Sequence, residues 1–387
     1  MAVASRVAGL VLVVALAGCS SASSGPAVQR SAPTRSEATV PAAKGSRRVP
    51  SLRGVPAVPT TSIQTFDLDA ALSPGGLAVG YGAVWITGLA RACVPPRLAG
   101  CGRLYRFDPN TGKIVATIAL TKGPIAVAVG EGGVFVLEDF PDGSPYVVAR
   151  VDPVSNRVQF ESDIPNTHVV GNSYPIGRLA VGAGSAWASF YADAAMGPEV
   201  ARFDARSGQV QATIRLSHTT DLLAINAQGV WMAASDDGKT VIRIDPVTDV
   251  ASAFVSLGEG TFVHSLGAGA SSVWLTHVET SQRGAKRSPV LDLVHIEATN
   301  GAITRTGIPT ANVAVAGDQV WFAGYDPDLS LKTADPSTVA RVDPTTNRIV
   351  RATHVEVTEA EQLDLAVDAH EVWVLNPYIP RLWSIPS

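Results

Sequence analysis

The chain has 387 residues, of which 46 % are hydrophobic, 17 % charged and 6 % aromatic, with 35 Gly and 26 Pro. So apolar and weakly charged a composition excludes a disordered chain, and the scarcity of aromatics requires a core built from Val, Ala, Leu and Ile. The net charge of −4 is unevenly spread: residues 20–59 carry +5 and, with Arg6 set aside, the remainder carries −10. An acidic body argues against nucleic acid as a partner, because phosphate binding needs a basic stripe. Three cysteines, Cys19, Cys93 and Cys101, are too few for a disulfide scaffold and lack the Cys-x-x-Cys spacing of a zinc site.

After Arg6 comes an apolar run, Val7 to Ala17, too short to span a bilayer and of the size of a signal-peptide core. It ends in Leu16-Ala17-Gly18-Cys19-Ser20-Ser21. These residues resemble the lipobox of bacterial lipoproteins. The resemblance implies cleavage before Cys19, a diacylglycerol on its thiol with further acylation such as palmitate, and anchoring on the extracytoplasmic side of the cell membrane. Residues 19–59 are Ser, Ala, Pro, Gly and Arg without apolar periodicity and read as a disordered tether, with a span of roughly 35 Å. The expected division is a leader over 1–18, a tether over 19–59 and one folded domain over 60–387.

From residue 77 two phrases alternate. The first is small-apolar, tight turn, then apolar with an aromatic, as in Leu77-Ala78-Val79-Gly80 to Val84-Trp85. Its aromatics are Trp85, Phe135, Trp187, Trp231, Trp274, Trp321 and Trp373, spaced by 50, 52, 44, 43, 47 and 52 residues. The second is a hairpin, as in Arg106-Phe107-Asp108-Pro109-Asn110-Thr111-Gly112, with variants at Asp152, Asp204, Asp245, Glu297 and Asp343. Pro after Asp presets the turn, and Gly or Asn closes it in the left-handed region. Each unit therefore holds four short antiparallel strands, and units of this length are propeller blades. Seven first phrases stand against six complete hairpins. The strand Ile63–Leu68, which has no hairpin partner, is expected to complete the last blade beside Arg381–Ile385. The fold expected is all-β, a seven-bladed β-propeller closed by its N-terminal strand, with the aromatics packed between blades.

Val-Trp followed by Arg-Ile-Asp-Pro-x-Thr-Asn/Gly resembles the YVTN/NHL-type propeller superfamily that includes virginiamycin B lyase, over residues 61–387. For the lyases the resemblance implies magnesium held by His and Glu in Gly-Pro-His-Gly loops. This chain reads Ser73-Pro74-Gly75-Gly76, Gly123-Pro124-Ile125-Ala126 and Tyr174-Pro175-Ile176-Gly177 instead. On the face where one blade feeds the next, His218, Asp221, His264, His277, Glu361 and Asp364 are the candidates for a ligand or metal. His370-Glu371 lacks the second His of a zinc helix, and Gly80-Tyr81-Gly82 is a hairpin turn and not a phosphate loop.

Cys93 and Cys101 flank part of a Pro- and Gly-rich insertion, where a local disulfide is expected in an oxidising compartment. The long stretches 282–289 and 325–336 are further candidates for contact. Two readings follow. One is a lipid-anchored binding or scaffolding module for a protein, peptide or glycan, without a cofactor and without catalytic residues, acting as a monomer. The other is a magnesium-dependent lyase or hydrolase with a site over the central channel.

Overall fold

The computed structural model describes residues 50–69, 73–90, 100–139, 145–164, 177–191, 198–258, 262–283, 286–325, 335–357 and 363–387. The chain divides into Met1–Ser36 and Glu37–Ser387, and all the described residues belong to the second unit.

An N-terminal strand, β1 (Gln64–Asp67), precedes the first blade, β2 (Ser73–Gly80), β3 (Ala83–Leu89), β4 (Gly102–Asp108) and β5 (Lys113–Ala119). The second is β6 (Gly123–Gly130), β7 (Gly133–Asp139), β8 (Val147–Asp152) and β9 (Arg157–Asp163). The third is β10 (Gly177–Gly182), β11 (Ser185–Tyr191), β12 (Pro198–Asp204) and β13 (Val210–Arg215). The fourth is β14 (Thr220–Asn226), β15 (Gly229–Ala234), β16 (Thr240–Ile244) and β17 (Ala251–Ser256). The fifth is β18 (Phe262–Ala268), β19 (Ser272–Arg283), β20 (Lys286–Glu297) and β21 (Ile303–Arg305). The sixth is β22 (Thr310–Ala316), β23 (Gln319–Tyr325), β24 (Asp335–Asp343) and β25 (Arg348–His354). The last is β26 (Asp364–Val367), β27 (Glu371–Asn376) and β28 (Arg381–Pro386), with β1 as its outer strand.

Every sheet has four strands, and six run in chain order. The seventh closes the ring as expected. β1 pairs antiparallel with β28, Gln64 opposite Ser384 and Asp67 opposite Arg381. Arg381 Nε donates to Asp67 Oδ1 at 2.7 Å across the seam.

Among the described residues the core divides into seven clusters, each shared by two neighbouring blades. All seven second-strand aromatics are at most 1 % exposed, so the repeat aromatics are packing residues. The hairpin turns are held by their Asp. Asp152 Oδ1 accepts from the N–H groups of Val154 and Ser155, and Asp204 Oδ1 from those of Arg206 and Ser207. These bonds hold both carboxyls below the usual carboxylate range. Each turn closes on a residue with positive φ, Gly112, Asn156, Gly208, Asp249, Gly301 or Asn347.

That closing residue also decides how one blade grips the next. Where it is Asn or Asp, a third-strand side chain of the preceding blade reaches it. Arg106 Nη1 donates to Asn156 Oδ1 at 3.2 Å, Arg202 Nη1 to Asp249 Oδ1 at 2.9 Å, and His295 Nδ1 lies 2.8 Å from Asn347 Oδ1. Where it is Gly, an aromatic from the preceding outer strand occupies the space. A Cβ on Gly112 would stand 2.9 Å from Phe66, and one on Gly208 2.6 Å from Phe160. At Gly301 the neighbours are Val255 and Phe254. Polar and apolar grips thus alternate around the ring, except at the sixth-to-seventh junction, where the seventh blade has no such turn.

The expected tether boundary at residue 59 moves. Residues 50–59 pack along the outer edge of the sixth blade. Val58 N–H donates to Ala352 O, Ala352 N–H to Pro56 O, and Ala57 bridges Ala352 in parallel. Val58 is 2 % exposed, and Leu52 and Val55 pack on the core between blades five and six. Three spaced apolar residues and two main-chain bonds hold this strap despite its tether-like composition.

The Gly208 grip is testable. Gly208→Ala combines φ of +73° with a Cβ pressed on Phe160, and is expected to cost about 2–4 kcal/mol in urea unfolding. Gly184→Ala, with φ of +72° and nothing within 4 Å, should cost about 1 kcal/mol. Equal losses would show that backbone strain, not the aromatic contact, sets the requirement.

Candidate functional site

The ends of the outer and second strands share one face of the ring with the starts of the next inner and third strands. Of the expected site residues, Cys19, Cys93 and Glu361 lie outside the described residues. The others fall into separate places. Asp221 and His264 occupy equivalent irregularities on adjacent inner strands, where the register shifts between Thr220 and Leu222 and between Val263 and Ser265. The His264 ring lies 6.2 Å from that of Phe262.

His218 belongs to a loop cluster over the fourth blade. Its Nδ1 is 3.0 Å from Asp236 Oδ1, and ligand atoms of His218, Asp236 and Asp237 lie within 4.8 Å of one another. These carboxylates are already committed to the turn. Asp236 accepts from the N–H groups of Thr219 and Asp237, and Asp237 from those of Lys239 and Thr240 and from the Thr240 hydroxyl. Magnesium demands near-octahedral oxygen ligands, and here it would have to share carboxylate oxygens that already hold the turn.

His277 is not on the loop face where it was expected. The second strand of the fifth blade continues to Arg283, which leaves His277 inside the ladder opposite Asp292, fully buried. Arg305 Nη1 lies 3.5 Å from Asp292 Oδ2 and 3.4 Å from His277 Nδ1, while its Nη2 donates to Leu257 O of the preceding blade. Gly307 N–H donates to Asp292 Oδ1 at 2.8 Å. This is an inter-blade polar contact. Among the described residues, His218, His264 and His277 do not meet as one metal-binding group.

Nearer the axis, the innermost strands carry a column two residues before the Ala or Gly opposite each aromatic. Gly76, Ala126 and Leu222 fill three of its places; Arg178, Ser265, Asn312 and Asp364 are polar. Burial raises the Asp364 carboxyl to about 6, and the Arg178 guanidinium opposes the rise. Blades three and seven are not neighbours, so this interaction crosses the centre of the ring. Reading the repeat column by column would have found Arg178; searching for His and carboxylate clusters passes over it.

Between blades one and two, Glu138 is fully buried at the end of β7. Its Oε2 accepts from Lys122 N–H at 2.7 Å and Thr121 Oγ1 at 3.3 Å, while Oε1 has no hydrogen-bond partner among the described residues. Burial, assisted by Glu161, raises its carboxyl to about 7 against the pull of the Lys122 and Thr121 hydrogen bonds. Cys101, 6 % exposed, sits beside the first-blade insertion, with its carbonyl accepting from Ala90 N–H at 2.9 Å.

No family model matches the chain, and no curated protein matches it. Solved structures match it as propellers. Kuenenia stuttgartiensis hydrazine synthase is similar at TM-score 0.62 and 11 % identity, over 83 % of this chain and 97 % of that one. The Neurospora crassa Pan2 WD40 domain is similar at TM-score 0.56 and 10 % identity, over 86 % and 98 %. BamB from Moraxella catarrhalis aligns at TM-score 0.43 and 14 % identity, over 81 % and 85 %. At these identities the likeness concerns the fold alone.

Glu138 gives a signed pH prediction. With its carboxyl at about 7 in the folded state against an ordinary 4.5, the folded state holds a proton that the unfolded state has lost between those values. Stability therefore falls as pH rises through that window, and is level above it. Glu138→Gln should abolish this slope and exceed the parent by up to about 3 kcal/mol near pH 8, with no difference near pH 4. Parallel pH–stability curves for the two proteins would refute the assignment.

Proposed function

We propose that the protein is an extracytoplasmic, lipid-anchored β-propeller that acts as a binding or scaffolding module for a protein, peptide or glycan, without turnover. The observation that carries this reading is the distribution of its ionisable groups. His218, His277 and Glu138 sit in separate places, engaged with turn or inter-blade partners. The repeated aromatics and turn residues serve packing and turn formation. Enzymes break such local rules at their sites. Residues 50–59 lie against blade six. The lipobox resemblance supports the anchor, and the acidic body suits a cationic or neutral partner.

A Cys93–Cys101 disulfide belongs to the same proposal. It is supported by the burial of Cys101 and the Ala90 hydrogen bond beside it. The loop it encloses is short, so its stabilisation is about 2–3 kcal/mol at most. The alternative, a lyase or hydrolase, draws on Glu138, whose raised carboxyl matches what a general acid needs near neutral pH.

Cys19→Ala should move the protein from the detergent phase to the aqueous phase on partitioning, since acyl chains supply the anchor; retention in detergent would refute the anchor. Alkylation and mass measurement of the secreted protein should find no free thiol at Cys93 or Cys101. Turnover of any substrate that is lost in both His218→Ala and Glu138→Gln would replace the binding reading with the enzymatic one.

A further inference from the structure

In six blades the second strand ends three or four residues past its aromatic. In blade five, β19 runs nine residues past Trp274 to Arg283, and β20 accompanies it from Lys286. Among the described residues these two strands pair alone beyond the ring. β18 leaves the ladder at Phe262, opposite Val278, and β21 leaves it at Arg305, opposite Val294. The rungs from Glu279 opposite Val290 to Arg283 opposite Lys286 form a two-stranded ribbon. It outruns the other second strands by five residues or more, about 17 Å.

The two edges of the ribbon are unequal. Main-chain hydrogen bonds alternate sides along an antiparallel strand. Leu293 N–H donates to Ile308 O, and Leu293 O accepts from Thr306 N–H, so Leu293 turns its main chain away from β19. Alternation then sets Pro289 and Arg287 outward on β20, and Thr280 and Gln282 outward on β19. Proline has no N–H, so the β20 edge is broken as a template for another strand. The β19 edge keeps the N–H and C=O of both Thr280 and Gln282, with no partner strand among the described residues. At its foot stands Phe262, an apolar side chain 40 % exposed.

The ribbon also differs from the ring in charge. Arg283, Lys286 and Arg287 lie at its end, and no Asp or Glu occurs between Glu279 and Asp292, whereas residues 60–387 together carry −10. At about 17 Å the tip stands two screening lengths of about 8 Å from the ring, so its cations form a local positive site on an acidic protein. Cations on a strand edge repel a second copy of the same ribbon and admit an acidic strand. Residues 282–288 include no large apolar side chain for insertion into lipid. We propose that the β19 edge of this ribbon is a docking surface for an acidic, extended segment of a partner protein. The segment adds as a further strand beside Thr280 and Gln282, with its carboxylates matched to the three cations of the tip and an apolar residue on Phe262. This rests on the reading of the ring as a binding module and gives the chemistry of its partner.

The test is fluorescence anisotropy of an end-blocked, labelled Val-Glu-Thr-Glu-Val-Glu-Thr peptide titrated with the purified full-length protein in non-ionic detergent. Saturable binding is expected, at least about tenfold tighter than that of the counterpart with Lys in place of Glu. The triple variant Arg283→Gln, Lys286→Gln, Arg287→Gln should weaken it at least about tenfold and leave the melting temperature unchanged. N-methylation of two adjacent central amides, which blocks both edges of the peptide, should weaken it as much, since strand addition runs through main-chain bonds. No saturable binding overturns the proposal, as does binding unaltered in the triple variant or undiminished for the methylated peptide. So does failure of the peptide while phosphatidylglycerol vesicles sediment the Cys19→Ala protein, which would make a lipid surface the occupant. Peptide titration involves no turnover. Its failure removes this surface, whereas turnover lost in His218→Ala and Glu138→Gln is what defeats the binding-module reading.

Discussion

Each blade is a separate four-stranded sheet, and among the described residues no strand ladder crosses from one to the next. The ring is therefore held by side chains between blades. The principal element is the buried aromatic of each second strand, packed in a cluster whose other half belongs to the following blade. Truncating one such aromatic would open a cavity between two sheets, a change of about 3–5 kcal/mol. Dependence on seven similar interfaces explains the uniformity of this column. It also explains why the positions near the axis are small: a Cβ on Gly80 would stand 2.5 Å from Val129 of the next blade.

The grips at the hairpin turns are a second answer to the same constraint. A turn closed by Asn or Asp keeps a carbonyl or carboxylate oxygen available for Arg or His, whereas a turn closed by Gly leaves room for Phe66, Phe160 or Phe254. Both closing residues tolerate positive φ, so the local demand of the turn is met either way. The choice between them is made by the neighbouring blade. At the sixth-to-seventh junction the outer strand is β1, so no hairpin turn joins it to β28. There Arg351 Nη1 reaches Pro386 O, and Val58 of the strap joins the cluster of Trp321 and Trp383.

The number of blades and the closure by β1 were legible because both rest on short-range chemistry repeated many times. An Asp-Pro turn and a Val-Trp strand look alike wherever they occur, and one unmatched strand at each end can only pair with the other. What the sequence hid depends on particular partners. The strap over 50–59 has no periodicity, since Val58 alone is fully buried and its hydrogen bonds are to main chain. His277 read as a loop residue because nothing in Thr276-His277-Val278-Glu279 marks where a strand of ordinary length should stop. The ladder continues through it to Arg283. Arg178 and Asp364 are unremarkable singly, and their interaction appears only when blades three and seven face each other across the axis.

A repeat chain has an internal reference that a single sequence otherwise lacks: each column states what packing requires, and a departure marks a place where something else acts. At the buried aromatic the single substitution, Phe135 for Trp, keeps a large buried ring and changes nothing in kind. In the innermost column, Arg178 and Asp364 put charge where Gly76, Ala126 and Leu222 show that none is needed for packing. In the third-strand column, His295 gives up a cation where Arg106 and Arg202 show that one stabilises the junction. Neither departure improves the ring on the terms that the other blades satisfy. Burial of the Asp364 carboxyl carries a desolvation cost, and His295 holds its junction without a guanidinium's fork of donors. These two columns, one on the axis and one on the turn face, are therefore where the chain departs from what holding the ring closed requires.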